Sequence, residues 1–311
     1  MKRTLYFGNP AYLSLRNGQM LLRLPEVEKN ETLTAAFKRQ SERTFPIEDL
    51  GVVILDNKQI TVTQGLLERL MENNCAVITC DSARMPAGLF LPLDGHSVQS
   101  ERFRAQIECS KPLRKQLWQQ TVAAKIANQE SVLRRLVPGC ETRNMQVWAG
   151  EVKSDDADNL EGRAAAYYWR NLFPEVPGFV RGREGLPPNN LLNYGYAIVR
   201  AVVARSLVGT GLLPTLGIHH RNKYNAYCLA DDIMEPYRPV VDEVVKEMMA
   251  ENRWRTEELT TDVKRQLLGI PVRDVMIGGR KSPLMSAVDI TTTSLYKCYA
   301  GESRKIVYPE L

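Results

Sequence analysis

Residues 100–137 read SERFRAQIECSKPLRKQLWQQTVAAKIANQESVLRRLV and stop at Pro138-Gly139. Apolar residues recur there at helical spacing among charged ones, over a length that strands do not reach. Pro112 either breaks the run in two or stands in the first turn of its second helix, where a missing N–H is no loss. The chain before this stretch has a different pattern. Ala11–Leu15 and Met20–Leu24 flank Asn17-Gly18, a strong signal for a two-residue β-hairpin turn. Gly51–Leu55 and Ile60–Thr63 are β-branched runs on either side of Asp56-Asn57-Lys58. Gln64–Asn73 has the period of a short helix, and Ala76–Thr79 returns to strand. Residues 81–97, with Pro86, Pro92 and two glycines, read as a strand and a linker.

Downstream, the pattern stays helical. Asn159–Leu172 is an alanine-rich helix closed before Pro174, and residues 173–188 form a Gly/Pro loop. Asn190–Val208 is apolar nearly all round, which marks a buried central helix ended by Gly209 and Gly211. Further helices are expected over Tyr237–Asn252, Thr256–Leu268 and Pro283–Leu295. The fold class is therefore α+β: a small β-rich N-terminal domain over residues 1–97, with its linker from about 81, and a larger all-α C-terminal domain over 98–311.

Composition excludes several classes. The 311 residues are 44% hydrophobic and 25% charged, ordinary for a globular chain and wrong for a disordered one. No run of about 18 apolar residues is present, so no membrane partner is expected. The first residues lack the apolar core of a signal peptide. The six cysteines form no C-x-x-C pair, which disfavours a zinc ribbon and predicts free thiols in a cytoplasmic protein. The net charge of +5 is unevenly placed. Residues 1–100 carry 11 basic and 11 acidic side chains, whereas residues 101–145 carry nine basic and four acidic. A basic face of that kind points to a polyanion such as DNA, or else is only a solvated helix surface.

Candidate chemistry lies in the helical half. Glu161 begins a helix whose next turn is small residues, with a capping box through Asp158 as the structural reading. His219 and His220 are two of only three histidines; the third, His96, falls in the linker. Asp232 and Glu235 are three apart, on one face if the backbone is helical, although Pro236 disfavours that for Glu235. One imidazole with two or three carboxylates suits Mg²⁺ or Mn²⁺ with open positions, and beside a basic surface fits metal-assisted phosphodiester chemistry.

Four motifs carry a family resemblance. Glu161-Gly162-Arg163-Ala164-Ala165-Ala166, Asn190-Leu191-Leu192-Asn193-Tyr194-Gly195-Tyr196, Gly217-Ile218-His219-His220 and Asp232-Ile233-Met234-Glu235-Pro236-Tyr237-Arg238-Pro239 resemble, in order and spacing, those of the CRISPR adaptation integrase, the CRISPR-associated endonuclease that inserts new spacers. The last motif looks most like the branch found beside single-protein RNA-guided effector nucleases. The resemblance covers essentially the whole chain. It implies a metal site of Glu161, His220 and Glu235, with Asp232 as a candidate fourth group; His220 rather than His219 matches the family's position after the motif glycine. It implies DNA contacts through Lys223, Arg238, Asn190 and Tyr194. It also implies transesterification by a DNA 3′-hydroxyl, a homodimer formed through the N-terminal domain, a small ferredoxin-like second adaptation protein as partner, and help from the effector nuclease. Two other readings stay open: a stand-alone metal-dependent nuclease acting on branched DNA or RNA, and a non-catalytic nucleic-acid scaffold.

Overall fold

The computed structural model describes residues 2–182, 187–250 and 259–311. It divides into two compact units, residues 1–95 and 96–311.

The first unit is built on two four-stranded sheets. Its strands are β1 (Arg3–Phe7), β2 (Ala11–Arg16), β3 (Gln19–Arg23), β4 (Arg43–Pro46), β5 (Leu50–Leu55), β6 (Ile60–Val62), β7 (Ala76–Cys80) and β8 (Pro86–Phe90). Short helices α1 (Pro25–Glu28) and α2 (Ala35–Gln40) precede β4, and α3 (Gln64–Glu72) precedes β7. One sheet has the order β1-β5-β7-β8 and the other β4-β3-β2-β6. Asn17 and Gly18, at φ 51° and 73°, close the β2–β3 hairpin in register Arg16↔Gln19. Both take the positive φ that such a turn needs. The runs around Asp56-Asn57-Lys58 do not pair with each other: β5 joins β1 and β7, whereas β6 runs parallel to β2. Phe7, Leu13, Met20, Leu50, Leu66 and Leu70 fill the core.

The second unit is mostly helical. Helix α4 covers Gln99–Ile107, α5 Lys111–Leu136, α6 Arg143–Glu151, α7 Leu160–Leu172 and α8 Asn189–Gly209. After them come α9 (Cys228–Met234), α10 (Arg238–Ala250), α11 (Thr261–Leu268) and α12 (Leu284–Tyr299). Pro112 starts α5 rather than breaking it, since Ser110 Oγ caps the helix by accepting the Leu113 N–H at 3.3 Å. The expected helix end at Asn252 and start at Thr256 lie outside the described residues.

The unit is not all-α. Strands β9 (Asp274–Ile277), β10 (Arg280–Pro283) and β11 (Pro309–Glu310) form a three-stranded antiparallel sheet in the order β10-β9-β11. Gly278-Gly279, both at positive φ, make its tight turn. Helix α8 is long and apolar enough to cross a membrane by composition, because its average hydropathy survives the two arginines that interrupt the run. Its apolar window is, however, 83% buried inside the molecule. None of the six cysteines forms a disulfide.

Candidate active site

The Glu161 side chain is not needed to cap its helix, because other groups do so. Asn159 adopts a left-handed conformation, φ 51°, and accepts the Gly162 N–H through its side chain at 3.3 Å. The buried Asp156 carboxylate accepts the N–H groups of Leu160 and Glu161 at 2.9 and 3.0 Å. The first orphan donors of α7 are thus satisfied. The expected capping box is not formed: Asp158 pairs with Lys153 at the surface, 2.7 Å away, and Glu161 pairs with the largely buried Lys125. A Cβ at Gly162 would lie 2.7 Å from Asn159 Oδ1, so the cap itself demands a glycine after the glutamate.

The histidine loop is organised by one acid. A Cβ at Gly217 would fall 2.3 Å from the His220 carbonyl oxygen and 2.8 Å from Asp232 Oδ2, so only glycine lets the loop close this tightly. In that loop the His219 and His220 N–H groups donate to Asp232 at 2.9 and 3.3 Å. His220 Nδ1 lies 2.5 Å from Asp232 Oδ1, and the Asp232 side chain is fully buried. Accepting a hydrogen bond from Nδ1, Asp232 places the imidazole proton there and leaves Nε2 as the open nitrogen. That hydrogen bond raises the His220 pKa above its ordinary value, against the burial that lowers it. The Trp118 ring stacks on His219, with centroids 4.3 Å apart and planes at 9°, and meets His220 edge-on. His219 is therefore held against a buried aromatic wall, while His220 is held by an acid.

Glu235 stays in the α region, φ −52°, and opens a single 3₁₀ turn, Glu235–Tyr237. It does so although Pro236 follows it; the proline stands in the first turn, where its lacking N–H leaves no bond unmade. Asn128 of α5 pins this turn by donating to the Pro236 carbonyl at 2.8 Å. The Glu235 carboxylate then meets two cations: Oε1 is 2.8 Å from Arg238 Nε, and Oε2 is 2.6 Å from Lys125 Nζ. Burial would push its pKa up, but Arg238, then Lys125 and His220, hold it down at about 2. The same Lys125 Nζ lies 2.6 Å from Glu161 Oε1. Burial works against its charge, yet Glu235 and Glu161 together raise its pKa.

Glu161 and Glu235 are thus brought together on one positive charge, with His220 close enough for both acids to raise its pKa. Asp232 faces His220, not that pair. Arg238 is turned inward onto Glu235 and lies over the Tyr196 ring, 4.6 Å from its centroid. Lys223 is exposed, and lines a cavity of about 400 Å³ with His220, Arg114 and Arg221. On α8, Tyr194 is completely buried, with Lys264 Nζ 5.4 Å from its ring centroid, and Asn190 is half-buried.

Three residues that build this arrangement escaped sequence reasoning: Lys125, Trp118 and Asp156. Lys125 was counted in the basic run, but it is not a solvated DNA-facing lysine. Its signal was its position seven residues after Trp118, two helical turns along the same face of α5. Arg134 and Arg135 of that run are also paired, with Glu130 and Glu243. Arg104, Lys111 and Arg143 are exposed.

The donor set fits a divalent ion: two carboxylate oxygens already share one cation, and an imidazole nitrogen stands open beside them. Among the described residues no three acidic, histidine or cysteine side chains are closed around a single point, since Lys125 Nζ stands between the two glutamates.

Comparison with known proteins gives a consistent result. The family model for CRISPR associated protein Cas1 matches residues 26–278. A CRISPR-associated endonuclease Cas1 from Neisseria meningitidis serogroup C (strain 8013) is 34% identical over 310 residues, covering 99% of this chain and 96% of that protein. Among solved structures, a casposase bound to integration product superposes with a TM-score of 0.78 at 19% identity, over 98% of this chain and 92% of the other. A Cas6-RT-Cas1–Cas2 complex gives a TM-score of 0.72 at 19% identity, over 100% of this chain and 36% of the other.

Proposed function

This chain is a CRISPR spacer integrase belonging to the Cas1 family, and on that premise we propose that it works through a divalent ion, Mg²⁺ or Mn²⁺, held by Glu161, His220 and Glu235. The observation that carries this is the convergence of Glu161 and Glu235 on one cation at 2.6 Å each, beside a histidine whose second nitrogen is open. When bound, the ion supplies Lewis-acid polarisation of a phosphodiester and stabilises the charge that develops there. The protein's own groups do the rest. Asp232 orients His220. Arg238 and Lys125 keep Glu235 ionised down to low pH. Lys223, with Arg221 and Arg114 around the adjoining cavity, holds phosphate oxygens next to His220. Asn190 and Tyr194 position the helix that backs the site. The attacking group is the 3′-hydroxyl of a captured DNA fragment, and the bond broken is a phosphodiester at the end of a repeat.

The substrates in this reading are double-stranded DNA fragments and the leader–repeat junction, in the cytoplasm. The partners are a second copy of the chain, a small ferredoxin-like second adaptation protein and the RNA-guided effector nuclease. The Cas1–Cas2 composition of one similar structure supports the second adaptation protein. The likeness of residues 232–239 to the effector-nuclease branch is supported by the Neisseria relative.

The test is to offer the protein, its small partner and Mn²⁺ a supercoiled repeat plasmid with fragments ending in a 3′-hydroxyl or a blocked 3′ end. Joined product from the hydroxyl fragment alone is expected. Equal plasmid cleavage with both fragments, and no joining, would favour the stand-alone nuclease.

A further inference from the structure

The most deeply placed cation of the site is part of the chain. Lys125 has a side chain only 12% exposed, and its ammonium is shared between Glu161 and Glu235. Among the described residues its ion-pair partners are those two carboxylates. Arg238, the other cation on Glu235, is held from two sides. Its Nε is 2.8 Å from Glu235 Oε1, and its guanidinium lies over Tyr196, whose hydroxyl donates to Asp242 at 2.5 Å. One cation is therefore locked in place, while the other ends a flexible four-carbon stem between two acids.

An ammonium and a divalent ion cannot both occupy the space between two carboxylates in a half-dry site, because like charges a few ångströms apart repel strongly there. With no cation between them, on the other hand, the half-buried Glu161 and the buried Glu235 carboxylates would repel each other. We propose that Lys125 is the resident counter-ion of the metal site: it holds Glu161 and Glu235 together when no ion is bound, and metal binding is an exchange in which the ammonium withdraws from them. This rests on the reading of Glu161, His220 and Glu235 as ligands. Lys125 is a positioning residue in this scheme. Its charge lowers the site's metal affinity and in return keeps the empty site folded around the same two acids.

The experiment is calorimetric titration of the full chain with Mn²⁺, together with thermal unfolding with and without Mn²⁺, for wild type, Lys125→Met, Lys125→Gln and Glu161→Gln. Removing the charge should tighten Mn²⁺ binding at least about tenfold in both lysine variants. It should also lower the metal-free Tm, with most of that loss restored by Mn²⁺. Lys125→Gln keeps a polar tip, so it covers the case in which the methionine variant does not fold. Mn²⁺ binding equal to or weaker than wild type in the lysine variants, with Glu161→Gln still abolishing it, would overturn the exchange and leave the ligand reading standing. Absence of Mn²⁺ binding in wild type and every variant would overturn both.

Discussion

The two units bury different things. Among the described residues, Asp56 is the one buried polar or charged side chain of residues 2–95, where the core is aliphatic. Residues 96–311 bury Glu130, Arg205, Asp232, Glu235, Asp242, Glu243 and Lys264. An isolated buried charge is costly, so each must be compensated by a neighbour. The difference teaches where to look for chemistry: the core of the first unit is almost wholly apolar, whereas the second fixes paired charges, such as Glu235 with Lys125 and Arg238, in its interior. That is the preorganisation a phosphoryl-transfer site needs.

Four substitutions break or sharpen this contrast. The largest stability effect is expected at Glu235→Ala, which strands Lys125 and Arg238 in a buried setting. It should destabilise the metal-free second unit by about 3–5 kcal/mol in urea denaturation. Leu50→Ala in the first unit should cost about 2–5 kcal/mol through the lost contacts and the cavity left behind. Unlike the first variant, it should leave Mn²⁺ binding unchanged.

Asp242 provides the pH test. Burial pushes its carboxyl up to about 7, against the hydrogen bonds from Tyr196 and Tyr168 and the charges of Arg181 and Arg238 that favour ionisation. A raised folded-state pKa means that the fold prefers the protonated acid. Its contribution is therefore complete below the ordinary carboxylate range and is lost as pH rises toward 7. Asp242→Asn should flatten the stability profile between pH 5 and 7, removing a slope of at most about 1.4 kcal/mol per pH unit. An unchanged slope would show that Asp242 is ionised throughout. The smallest effect is expected at His219→Ala, which loses one stacked ring contact with Trp118, about 1 kcal/mol by thermal unfolding.

The same contrast explains what could be read from the sequence. Period-2 and period-3.6 patterns report apolar burial, so the β2–β3 hairpin, α3, α7 and α8 were legible. The short β9–β10 pair was not, because four-residue strands carry too little pattern; only Gly278-Gly279 marked its turn. Helix α6 and the segment holding α1, α2 and β4 were missed as well. The motifs singled out Glu161, His220 and Glu235, and the structure brings the two glutamates onto one lysine near His220. Lys125 itself was not legible, since a lysine buried between two acids looks, in sequence, like any lysine of a charged helix. The cap of α7 was misassigned to Asp158 because Asp156 reaches forward only through left-handed turns at Asp155, Asp156 and Asn159, which spacing does not reveal.

The most direct test of the site is a strand-transfer assay in Mn²⁺ with a 3′-hydroxyl DNA fragment and a repeat-bearing plasmid, comparing Glu161→Gln, His220→Ala and His219→Ala with wild type. Loss of joined product in the first two, with native folding by circular dichroism and near-normal joining by His219→Ala, is expected. Joining retained by both Glu161→Gln and His220→Ala would contradict the account, and a dead His219→Ala beside an active His220→Ala would move the ligand to the other histidine.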